Sequence, residues 1–75
     1  MDEGLKMLAV GLAVGLGMLG PGLGLGLIGY SALQGIARNP EARGPIFTNM
    51  ILIAGLTEAI GIYVLIVGIL LAMIV

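Results

Sequence analysis

Charge divides this chain into three polar islands and two long apolar runs. Asp2, Glu3 and Lys6 stand at the start, Arg38, Glu41 and Arg43 cluster near the middle, and Glu58 stands alone. No charged residue occurs from Met7 to Ala37, and from Gly44 to Val75 the only one is Glu58. A helix crosses a bilayer with about 20 apolar residues, and both runs exceed that length. The pattern predicts an all-α membrane fold: one transmembrane helix over about 4–37, a polar loop over about 38–44 and a second transmembrane helix over about 45–75. Residues 1–75 then form a single helical-hairpin domain. The linker ARNPEARGP supports the break, because Pro40 disfavours a helical Asn39 and the Gly44-Pro45 pair can end one element and start the next. A signal peptide is the poorer reading of the first run, since its apolar core is shorter and its start is basic, whereas this start is acidic.

Within the first helix the apolar run is unusually rich in glycine. Ten of the fourteen glycines fall in the first half of the chain, most of them in GLAVGLGMLGPGLGLGLIG. Each costs a helix about 1 kcal/mol relative to Ala, so close packing has to offset the loss. At about 100° per residue, Gly11, Gly15, Gly22, Gly26 and Gly29 share one stripe. Gly17, Gly20, Gly24 and Gly35 form a second, roughly opposite, together with Ala9, Ala13 and Ser31. Two smooth flanks suit two identical neighbours, and a repeated heterologous contact closes into a ring where the rotation permits. The expected assembly is therefore a homo-oligomeric ring, with Gly15, Gly20, Gly22, Gly24 and Gly26 as helix-packing positions. The bulky sectors between the stripes, with Leu12, Leu16, Leu19 and Leu23 on one side and Val14, Leu25 and Ile28 on the other, are left for the second helix and the ring's interior. Pro21 either kinks this helix or has its lost hydrogen bond absorbed by neighbouring groups.

Composition agrees with a membrane setting: 60% hydrophobic residues, 9% charged and a mean hydropathy of +1.24. A single hairpin of 75 residues encloses little core by itself, which again points to an assembly surrounded by lipid. The net charge of −1 and the lack of a basic block exclude nucleic acid as a main partner. With neither cysteine nor histidine there is no thiolate or imidazole metal site, and neither a metal nor a cofactor is expected. The arginines sit in the loop, so the positive-inside rule places the loop in the cytoplasm and both termini across the membrane, with Lys6 a minor opposing signal. The segment from Gly24 to Gly29 satisfies G-x-G-x-x-G, but no strand precedes it and no acid follows about 20 residues on, so it is a coincidence of glycine density.

Glu58 lies about 20 Å of helix from Pro45 and about 25 Å from Val75, close to the bilayer midplane. An ionised carboxylate there costs at least about 2.5–3.5 kcal/mol. Apolar surroundings favour the neutral acid, and no cation of this chain lies at that depth. An acid that is neutral in one setting and charged in another is a proton carrier, provided its surroundings alternate. A structural acid bonding between helices is the rival reading, although Gln or Ser would serve that purpose. Carrying Na⁺ instead would require several oxygen ligands. Folding the hairpin about its loop puts Leu25 near the level of Glu58 and leaves the amides of Gln34 and Asn49 about 13 Å toward the loop. Only Thr57, Tyr63 and backbone carbonyls remain to support the carboxyl, which is sparse for Na⁺ and enough for a proton.

Three features in order, GPGLGLG, ARNPEA and TEAIGIY, cover nearly the whole chain and together resemble the proteolipid, or ring-forming c-type component, of the rotary F-type ATP synthase. The resemblance implies a non-catalytic rotor-ring protein, in which Glu58 takes a proton from one aqueous half-channel, carries it past lipid and releases it into another. It further implies identical c subunits around a ring, an a subunit with a stator arginine, and central-stalk subunits docked on the loop at Arg38, Asn39 and Pro40. Sodium-binding members have Gln at the position of Leu25 and Ser or Thr at that of Ala59, so the resemblance favours H⁺ as the transported ion; Tyr63 occurs in both kinds. A bacterial inner membrane is the expected location. Two alternatives stay open from the residues: a pore-forming or structural oligomer in which Glu58 lines a cavity, and a sodium-coupled ring. A V-type proteolipid fits less well, since those usually join two hairpins and this sequence has one.

Overall fold

The computed structural model describes residues 2–74. Helix α1 covers Glu3–Arg38, a single 3-10 turn covers Pro40–Ala42, and helix α2 covers Arg43–Ile74. The two helices lie antiparallel in a rod with extents of 57 × 15 × 8 Å. The rod is longer than the hydrocarbon core of a bilayer, about 30 Å thick, so both ends reach the interfacial regions. Both helices are long and apolar enough to cross a membrane.

Local chemistry sets the helix ends. Asp2 caps α1: its Oδ1 accepts from the Leu5 amide at 2.8 Å, and its backbone carbonyl accepts from the Lys6 amide at 3.0 Å. Those bonds occupy donors that the first turn of a helix leaves unpaired. Lys6 also pairs with Glu3 at 3.1 Å, a contact of little energetic weight because the Glu3 carboxylate is open to solvent. At the other end, the residue before Pro40 is forced out of helical geometry, and Asn39 takes φ −140° and ψ 84°. Its amide donates to the Gly35 carbonyl, and its carbonyl accepts from Ala42, each at 3.0 Å.

The turn is tighter than the expected loop of 38–44. Arg38 closes α1 and Arg43 opens α2, so Gly44 and Pro45 lie in the first turn of the second helix. Proline fits there because the amides of a first turn have no intrahelical partner to lose. The expected end of the second helix, Val75, lies outside the described residues, as does Met1. Helix α1 runs through Pro21 without a break.

The helices pack along one continuous line. A Cβ built on Gly17 would meet Val64, one on Gly24 would meet Thr57, and one on Gly35 would meet Ile46. Seven steps along α1 are matched by seven steps back along α2, and the next eleven by eleven. Steps of seven and eleven are two and three turns of helix, so the same faces stay in register over most of the hairpin. Gly68 against Val14 extends that line toward the open end.

This corrects the assignment of the second glycine stripe. Gly17, Gly24 and Gly35 face α2 of their own chain, together with half-buried Val10, Val14 and Ile28. The bulky sectors do not provide this face alone; glycine lets the two backbones approach and the valines fill between them. Among the described residues, nothing lies within 4 Å of a Cβ built on Gly11, Gly15, Gly20, Gly22, Gly26 or Gly29. Among the described residues only Gly61 and Gly68 are buried, and no hydrophobic side chain is. Leu16, Leu23, Leu56 and Ile60 are all more than half exposed. Such a surface is stable only against lipid or other apolar surfaces.

Candidate functional site

Glu58 occupies the middle of α2, fifteen residues from Arg43 and sixteen from Ile74. At ~1.5 Å per residue those are about 22 and 24 Å, which puts the carboxyl at mid-depth of the span. One step beyond the Gly24–Thr57 contact, Leu23 lies at the level of Glu58, and Leu25 lies two residues toward the loop. Gln34 is eleven residues from Leu23, a rise of about 16 Å, so its amide is too far to serve the carboxyl. The Asn49 amide is already engaged, donating to the Pro45 carbonyl at 2.9 Å.

The residues around Glu58 divide around the helix. Thr57 faces α1: its methyl would touch a Cβ on Gly24 at 3.4 Å, and its hydroxyl donates to the Ile53 carbonyl at 2.9 Å. That hydroxyl has spent its proton within α2 and can offer Glu58 only an acceptor. Tyr63 lies five residues on, about 140° around α2 from Glu58, and the residue is 68% exposed. Within one chain the two side chains point away from each other. Glu58 itself is exposed on the hairpin surface, on the flank between the α1-facing line and the outer side.

Two further residues stand near the carboxyl that the sequence pattern did not single out. Oε1 of Glu58 would lie 3.7 Å from a Cβ on Gly61, and Met18 Sδ and Cε would each lie 3.4 Å from the same point. Gly61 stands at i+3 from Glu58, a spacing that can be read from the sequence. Met18 is forty residues away along the chain, and only the register brings it near.

The other candidate positions lie apart from this centre. Arg38, Asn39 and Pro40 are exposed at the loop end, roughly 22 Å along α2 from Glu58, and Arg38 occupies the last turn of α1, where a cation complements the helix dipole. Gly15, Gly20, Gly22 and Gly26 line the outside of α1, whereas Gly24 packs inward. The fold thus places one carboxyl at mid-depth on an outer surface, with no cation at that level and no donor directed at it among the described residues.

The sequence model of the ATP synthase C-subunit family matches residues 8–71. Proteins named as the c-subunit of ATP synthase are similar along most of their length. The one from Dehalococcoides mccartyi is 57% identical over 89% of this chain and 88% of its own. That of Chloroflexus aurantiacus is 46% identical over 88% and 87%, and that of Prochlorococcus marinus 48% identical over 88% and 82%.

Proposed function

The chain belongs to the ATP synthase c-subunit family, an integral membrane component of the ATP synthase complex, and from that premise we propose that it is a proton-coupled rotor protein with Glu58 as the carrier. The observation that carries this reading is the lone carboxyl at mid-depth on an outward surface. Facing lipid, such a group is neutral, because an ionised acid in hydrocarbon costs at least about 2.5–3.5 kcal/mol. Facing water or a foreign cation, it can lose its proton. A ring of copies turning past a partner that supplies both settings, an a subunit with a stator arginine, converts that difference into directed transport. Each charge that crosses 100 mV gains about 2.3 kcal/mol, so several transfers accompany each ATP made.

The ring itself is supported by the six glycines of α1 that meet nothing among the described residues. Tyr63 supports a carboxyl only across a copy-to-copy boundary, since its own Glu58 lies on another side of α2. Thr57 contributes an acceptor and a packing methyl. The exposed loop with Arg38, Asn39 and Pro40 is the docking surface for the central stalk. It faces the cytoplasm, both termini lie across the membrane, and the membrane is the inner membrane of a bacterium, as the bacterial relatives and the arginine-bearing loop favour. Proton coupling is favoured over sodium by the side chains present: Leu25 and Ala59 offer no oxygen, and Thr57 has its hydroxyl proton committed.

Glu58→Gln tests the role directly. The amide keeps the shape and cannot release a proton. The assembled complex is expected to form while ATP-driven proton uptake into membrane vesicles falls to background. Uptake at the wild-type rate would overturn the reading. The purified ring, reconstituted without its partners, is expected to be ion-tight, which a pore-forming oligomer would not be.

A further inference from the structure

Among the described residues, Gly61 is the interhelical glycine whose nearest neighbours are atoms of two different kinds. Gly17, Gly24, Gly35 and Gly68 are each met by a single apolar or methyl-bearing side chain of the other helix. At Gly61 a built Cβ would meet the thioether of Met18 from α1 and also the carboxyl of Glu58 from one turn earlier on α2. Both lie within 4 Å of a single point, so the acid leans along its own helix, over the glycine, beside the sulfur. The distances, 3.4 Å to Met18 and 3.7 Å to Glu58, would admit one methyl group as an ordinary contact. A branched side chain would occupy the space that the carboxyl now holds.

We propose that Gly61, with Met18 as its wall, is a positioning residue for Glu58: the missing side chain forms a notch in which the protonated carboxyl rests against the hairpin. The proposal rests on the proton-carrying role of Glu58. In the notch the acid meets a thioether, a weak acceptor, and no charge. Helix α1 has no charged residue between Lys6 and Arg38. Its one titratable group in that interval, Tyr30, lies seven residues from Leu23, about 10 Å toward the loop. On α2, Tyr63 points to another side. A side chain that closed the notch would turn the carboxyl outward and remove its resting place.

The test uses membranes carrying the assembled complex and a hydrophobic carbodiimide, which reacts with protonated carboxyls, with modification of Glu58 followed by mass spectrometry across pH. Four proteins are compared: wild type, Gly61→Ala, Gly61→Val, and Gly61→Val combined with Met18→Ala, which returns to the helices the volume that valine takes. Gly61→Ala is expected to label within about twofold of wild type. Both valine variants are expected to label about tenfold faster at a given pH, because the carboxyl turned out of the notch meets the lipid-borne reagent; tenfold is the upper end of what a displaced rotamer costs. The infrared carbonyl band of the protonated acid should move in the valine variants and stay in place with alanine. Wild-type labelling in Gly61→Val would overturn the proposal. Recovery of wild-type labelling in the double variant would also overturn it, because the effect would then have come through helix packing alone. If wild-type Glu58 itself failed to label, the carrier role would fall first, and the two failures are thereby distinguished.

Discussion

Helix α1 carries two sets of glycines that do different things. Gly17, Gly24 and Gly35 are explained inside one chain, because each lies against a side chain of α2. Gly11, Gly15, Gly20, Gly22, Gly26 and Gly29 are not, because their faces are open. Both sets carry the same intrinsic penalty, about 1 kcal/mol per residue in a helix interior. For the first set the compensation is visible as close contact with Val64, Thr57 and Ile46. For the second it has to come from outside the hairpin, and the proposed ring would supply it as a second copy of the same helix. Residue type alone does not reveal which set a glycine belongs to; its place around the helix does.

Substitutions at the two sets are expected to act on different levels of structure. The largest effect is expected at Gly22, where leucine would meet nothing in its own chain. Gly22→Leu should leave the helical signal of the detergent-solubilised hairpin unchanged and abolish the oligomer, as read by its mass. An intact oligomer would mean that the open stripe is not the copy-to-copy surface. Gly17→Leu should act one level lower, on the hairpin. A Cβ there would already stand 2.6 Å from Val64. Overpacking of that kind costs about 1–3 kcal/mol and should lower the melting temperature of the solubilised protein. Gly24→Ala should be the mildest, because its Cβ would meet the Thr57 methyl at 3.4 Å, an ordinary contact. A stability within about 1 kcal/mol of wild type is expected, the gain in helix propensity offsetting a slight adjustment of Thr57. If Gly24→Ala proved as damaging as Gly17→Leu, the described register would be incorrect.

Much of this was legible in the sequence, and the reason is the membrane. Charge is so costly in hydrocarbon that seven charged residues suffice to mark two spans, one turn and one exceptional acid. The turn is shorter than expected because Pro45 is as acceptable inside the first turn of a helix as before it. The two-stripe arrangement of glycines was also readable, since a helical wheel needs only spacing. Which sector faced α2 was not, because the wheel gives angles within one helix and says nothing about the rotation of its neighbour. The same limit hid Met18. Its approach to Glu58 depends on the pairing of residues forty positions apart, whereas Gly61, three residues from the acid, was within reach of a local reading.

The central claim is that Glu58 carries a proton and alternates between neutral and charged forms. Its most direct test is carbodiimide labelling of the wild-type protein in its native membrane, read by mass spectrometry across pH, with and without Na⁺. Selective modification of Glu58 that declines toward alkaline pH and is indifferent to Na⁺ is the predicted result. Protection by Na⁺ would contradict proton coupling, and no modification at any pH would contradict the carrier role itself.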